Sequence, residues 1–158
     1  METSALTAVL GDTWFGATLP VAARARLASV GQLVEVPDGT VLIEEDRPCP
    51  AMGILIRGRI ALRLRVQGVG DRTIMTLEPG EVFGWSAVLP RAVATSTCVA
   101  IAPSVAILFD GVGLMMALEL DDTLAAAVYH RLLASVARRL SATRVQLLDV
   151  YRAAGEPW

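Results

Sequence analysis

Between Gln32 and Asp110 the sequence is cut into short β-rich runs by turn signals roughly every eight to twelve residues, the rhythm of an antiparallel sandwich or barrel. LVEV runs into Pro37-Asp38-Gly39, TVLIEE into Asp46-Arg47-Pro48, and MGILI into Arg57-Gly58. In IALRLRV, Ile60 to Val66, apolar residues alternate with arginine, which predicts arginines facing solvent and Ile and Leu facing the core. Gly68 and Gly70 mark a hairpin, TIMTL meets Glu78-Pro79-Gly80, and TSTCVAI is separated from SVAILF by Ala102-Pro103. Gly58 and Gly80 are expected at turns that need positive φ or close backbone approach.

The flanks have a different period. Residues 19 to 30, LPVAARARLASV, set Val21, Leu27 and Val30 at helical spacing behind Pro20. From Asp121 a helical pattern persists for about thirty residues, opened by Asp121, Asp122 and Thr123 as cap and acidic first turn. Tyr129, Leu133, Val136, Leu140, Thr143, Leu147 and Val150 are spaced alternately four and three apart, a coiled-coil-like seam. Leu124, Val128 and Leu132 form a second stripe suited to docking on the β body. A helix of about 45 Å overhangs a body of this size, so the seam is expected to make a homodimer through residues 129–150.

The chain has 158 residues, of which 54% are hydrophobic, enough for one self-sufficient core. Its fourteen basic residues are all arginine and its net charge is −2, which predicts no general attraction to nucleic acid or anionic membrane. Cys49 and Cys98 are expected to be small buried hydrophobes. The N-terminus lacks a signal-peptide pattern, and no apolar run reaches membrane-span length, so a cytoplasmic location is expected. His130 is expected at the surface, and Arg131, Arg138, Arg139 and Arg144 read as solvated helix surface. No catalytic constellation and no metal-ligand spacing is present in the sequence, and a non-enzymatic protein is expected.

Helix, glycine-turned strands, short helix, long helix: this order resembles the cyclic nucleotide-binding domain of the catabolite activator protein (Crp/Fnr-like) family, over residues 14 to 151. VPDGTVLIEED resembles the family's glycine turn and acidic corner, ILIRGRIAL its strand-Gly-strand segment, and LEPGEVFG the approach to its phosphate-binding cassette. ARRLSATR, Ala137 to Arg144, is similar to its dimerisation helix. The resemblance implies an α+β, mainly β fold in one domain over residues 1–158. Its body is a double-stranded β-helix or jelly-roll barrel over about 31–110. A short N-terminal helix precedes it, and C-terminal helices over about 111–152 include the dimerisation helix. It implies a cyclic nucleotide, cAMP or cGMP, as ligand, and a downstream protein partner. The family's winged DNA-binding segment is not found after the long helix, so direct DNA binding is not expected.

The implied site is the cassette, read here as Phe83, Gly84, Trp85, Ser86, Ala87 and Val88, with Arg91, Thr95 and Ser96 following. In the family pattern, backbone N–H groups and an arginine receive the cyclic phosphate and a glutamate accepts from the ribose hydroxyl. Here Trp85 occupies the glutamate slot and Ala94 the arginine slot, while Arg91, three residues early, is the nearest cation. Losing two charge-assisted hydrogen bonds costs roughly 3–6 kcal/mol, or about two to four decades of affinity. Weak or altered nucleotide binding is therefore expected. The alternative is a dimerisation or interaction scaffold that binds no nucleotide. Trp85 either plugs the vacated pocket or stacks on a ligand within a repurposed one. Thr143, with Arg144 beside it, matches the family's base-contacting position, or is a polar residue that sets the seam's register.

Overall fold

The computed structural model describes residues 3–91 and 93–154, with side chains described through residue 149. Two short helices, α1 (Thr3–Gly11) and α2 (Val21–Ser29), precede eight strands. The strands are β1 (Gly31–Val36), β2 (Val41–Ile43), β3 (Ala51–Arg57), β4 (Ile60–Val66), β5 (Gly70–Leu77), β6 (Val82–Phe83), β7 (Thr97–Ala100) and β8 (Ser104–Asp110). Helices α3 (Gly111–Leu120) and α4 (Asp122–Ala154) follow. The strands form two four-stranded antiparallel sheets, ordered β1-β8-β3-β6 and β2-β7-β4-β5, the jelly-roll arrangement the resemblance implies. Met52, Ile54, Ile60, Leu77, Ile107 and Phe109 are fully buried between them. No helix among the described residues is long and apolar enough to cross a membrane.

Helix α1 went unforeseen, although Leu6 and Leu10, one turn apart, are both buried. In α2 the buried face is Ala23, Leu27 and Ala28, while Val21 is exposed at the first turn. Strand β4 departs from strict alternation. Ile60, Ala61 and Leu62 are buried in succession, and the register against β5 shifts between Leu62 and Arg63. The extra residue of this shift is Ile74 on β5, so β4 runs on unbroken and keeps Leu62 and Leu64 on one face. Beyond Arg63 the strand extends past its pairing with β7, and Leu64 is half-buried and Val66 exposed.

Gly58 joins β3 to β4 at φ +94, where a Cβ would lie 2.2 Å from Ser104 Oγ and 2.6 Å from the Pro103 carbonyl oxygen. Gly58→Val is expected to destabilise the fold by about 1–3 kcal/mol from backbone strain, with the clash adding to it. A thermal melt within about 2 °C of the wild type would refute this placement.

Asp121 caps α4, accepting from the N–H groups of Thr123 (3.0 Å) and Leu124 (3.1 Å) and pairing with Arg26. The Leu124 bond is foremost in holding the Asp121 carboxyl below its usual range. Leu124, Val128 and Leu132 dock α4 on the body as the second stripe predicts, and His130 is exposed. The arginines of α4 are only in part the solvated face that the sequence predicts. The Arg131 and Arg138 guanidinium carbons lie 3.9 and 4.2 Å from the centre of the Trp14 ring. Arg131 also donates to the Trp14 and Phe15 carbonyls, and Arg138 pairs with Glu81 at 3.0 Å. Planar guanidinium groups stack on aromatic rings and bury their stems, which a count of charges along a helix does not register. Arg138 and Arg144 are exposed, as expected, whereas Arg131 and Arg139 are half-buried.

Candidate ligand site

The cassette begins where β6 ends. Gly84 turns the chain at φ +67, and a Cβ there would stand 2.3 Å from the Ala51 carbonyl oxygen and 2.6 Å from Ile43 Cδ1. Only glycine permits that approach, and it delivers Trp85–Val88 as one 3-10 turn. The Ala87 N–H is consumed within this turn by the Gly84 carbonyl at 3.0 Å. Ser86, Ala87 and Val88 are buried.

Beneath the turn lies an inner chamber of only ≈ 20 Å³, enclosed by Ile43, Phe83, Gly84, Trp85 and Ser86 on one side and Ala94, Thr95, Ser96 and Cys98 on the other. That is room for about one water molecule. Cys49 also borders it, its thiol within 3.5 Å of the Ala51 and Gly84 carbonyl oxygens. Burial pushes the Cys49 thiol up and the Cys98 thiol up to about 12, so both behave as neutral hydrophobes at physiological pH.

Outside Trp85 the surface opens into a cleft of ≈ 660 Å³, within the size range of small-molecule sites. Leu62 and Leu64 of β4 and Thr73, Ile74 and Met75 of β5 form one wall. Trp85, Thr95 and Ser96 form the base, and Arg139, Thr143, Gln146 and Leu147 of α4 close the other side. Arg139 borders chamber and cleft alike. It donates through Nη2 to the Val82 carbonyl, while its buried Nε finds no partner among the described residues. Desolvation is the foremost influence on this guanidinium and lowers its pKa from the usual value, with Glu81 pulling the other way. It remains a cation at any physiological pH.

The structure thus brings together Trp85, Thr95, Ser96 and Thr143 at the cleft, with Phe83, Gly84 and Ser86 one layer below. Ala87 and Val88 face other recesses, one beside α3 and one beside α4. Arg91 is exposed at φ +70 and borders neither chamber nor cleft, and Arg144 borders neither as well. The cation that enters the site is Arg139. Sequence reasoning assigned Arg139 to the helix surface, yet one signal was available. It stands four residues before Thr143, on the same helix face, and the Thr143 hydroxyl donates to the Arg139 carbonyl at 3.0 Å.

The sequence profile of the cyclic nucleotide-binding domain family matches residues 33–120. The chain belongs to the cyclic nucleotide-binding domain family. Its fold is similar to a cyclic nucleotide-binding protein of Geobacter metallireducens, with 21% identity, 89% of this chain and 98% of that chain covered, and a TM-score of 0.74. It is also similar to the catabolite activator protein of Thermus thermophilus, with 22% identity, 90% and 62% covered, and a TM-score of 0.67. The regulatory domain of Toxoplasma gondii PKA, solved with cAMP, shares 19% identity over 88% of this chain and 48% of that one, with a TM-score of 0.62. No curated protein sequence matches the chain. The cyclic nucleotide-binding domain match spans the β-roll and cassette and stops at α3. Arg139 and Thr143 contribute to the cleft from outside it.

Proposed function

We propose that this cyclic nucleotide-binding domain is a non-enzymatic regulatory module whose departed cassette holds cAMP and cGMP only weakly, and that it works as a homodimer that passes its state to a protein partner. The observation that carries this reading is the inner chamber. With Trp85 and Ala94 where the family pattern has glutamate and arginine, ≈ 20 Å³ remains, too little for a ribose phosphate. The open cleft above it keeps a ligand-sized volume joined to α4, and this favours a ligand-responsive module over a scaffold with no site. In the dimer, the unpartnered stripe Tyr129, Leu133, Leu140 and Leu147 on α4 packs against its own copy. Val150, the last residue of the expected seam, has a side chain outside those described.

Titration calorimetry with cAMP and cGMP is expected to give dissociation constants above ~100 µM, following from two missing charge-assisted contacts. Micromolar binding of either nucleotide would overturn the weak-site reading.

A further inference from the structure

We propose that the native ligand class of the outer cleft is an amphiphilic organic anion, a flat or branched apolar body bearing one carboxylate-type head, anchored by Arg139 and stacked against Trp85. The inference rests on the regulatory-module reading and names what such a module would sense.

Three observations converge on it. First, the wall offered by Leu62, Leu64, Ile74 and Met75 is apolar, Leu64 sharing one face of β4 with Leu62 and Ile74 being the extra residue of the β5 bulge. Apolar surface of this extent is covered favourably by an apolar body. Second, Arg139 is the only charged side chain bordering the cleft among the described residues. Among the described residues its guanidinium makes one hydrogen bond, to the Val82 carbonyl, and its Nε is buried without a partner, so the charge is left under-satisfied. A carboxylate in the cleft would answer that charge. Third, no Asp or Glu borders the cleft among the described residues, so no carboxylate is in place to accept from a sugar diol. Trp85 stands where the family pattern has that acceptor, so a ribose diol would lack its charge-assisted partner. The remaining polar side chains, the hydroxyls of Thr73, Thr95, Ser96 and Thr143 and the amide of Gln146, are neutral groups suited to orienting a head group, not to neutralising it.

The test compares 2-naphthoate with its neutral isostere 2-naphthamide at pH 7.5, where the carboxyl is ionised. Tryptophan fluorescence and calorimetry on the full chain read binding. The expected result is saturable binding of naphthoate at least tenfold tighter than of naphthamide, the factor that corresponds to one charge-assisted hydrogen bond. Arg139→Gln should abolish that preference for the acid, and Arg139→Lys should retain part of it. Trp85→Ala should weaken acid and amide together. Three results would overturn the inference: equal affinity for acid and amide, a preference that survives Arg139→Gln, or binding seen only in a monomeric Leu140→Asp variant. The last would mean that a second copy covers the cleft. Micromolar cAMP binding without naphthoate binding would refute both this ligand class and the weak-site reading. Weak cAMP binding without naphthoate binding would refute the ligand class alone.

Discussion

Leu140→Asp should leave a folded monomer where the wild type sediments as a dimer. Leu133, Leu140 and Leu147 recur every seven residues along one face of α4 and are 68%, 50% and 53% exposed, with Tyr129 41% exposed at its start. Heptad-spaced apolar residues on a helix overhanging its body have little of their own chain to pack against. Opposite faces differ sharply on this helix, since Leu124, Val128 and Leu132 on the docking side are at most 6% exposed. In an isologous contact every substitution counts twice. Removing a buried leucine costs about 1.5–3 kcal/mol, so two lose roughly 3–6 kcal/mol, or about two to four decades of dimer affinity. The buried aspartate adds a desolvation penalty. Because Leu140 does not belong to its own subunit's core, far-UV circular dichroism should be unchanged. Analytical ultracentrifugation at tens of micromolar reads the result. A wild type that is monomeric there would remove the seam from the account.

The residues that were legible in the sequence share one property: their signal is local. Gly39, Gly58, Gly68, Gly70 and Gly80 all take positive φ, and all lie at the strand connections where the turn pattern placed them, Gly70 as the first residue of β5. The docking stripe and the Asp121 cap were likewise visible, because helical spacing and capping chemistry are written within a few residues. What escaped depends on tertiary context. The period-two pattern of β4 predicted that its Ile and Leu face the core; Ile60 and Leu62 do, whereas Leu64, past the end of the pairing with β7, is half-buried at the cleft. Arg139 looked like its neighbours on a charged helix face. Its role depends on where α4 crosses the cassette, a relation between residues more than fifty positions apart. For the same reason the cation was sought nearby in sequence, at Arg91, which is exposed and borders neither chamber nor cleft.

The two readings of Trp85 given by the sequence, filler or ligand platform, are compatible in this geometry, since Trp85 lines both the chamber and the cleft. That leads to the other large effect expected. Trp85→Glu combined with Ala94→Arg should strengthen cAMP binding at least tenfold, because the pair restores a ribose acceptor and a phosphate cation around one chamber. Ala94 is held by backbone bonds on both sides, its N–H donating to the Arg47 carbonyl at 2.9 Å and its carbonyl accepting from Asp46 N–H at 3.0 Å. Its Cα should therefore stay in place when the side chain grows. Ala94→Arg alone overfills a site that is 3% exposed and should give no gain, whereas removing the indole makes the space. Two charge-assisted bonds contribute about 4.5 kcal/mol at mid-range, and residual overpacking takes back about 2, leaving roughly 2.5 kcal/mol, near two decades. The same variant should lose 2-naphthoate affinity with the indole platform, so calorimetry with both ligands should show them moving in opposite directions. If the variant melts like the wild type yet cAMP affinity is unchanged, the phosphate does not enter the chamber. The ligand frame of this domain would then lie wholly between the β4–β5 wall and α4.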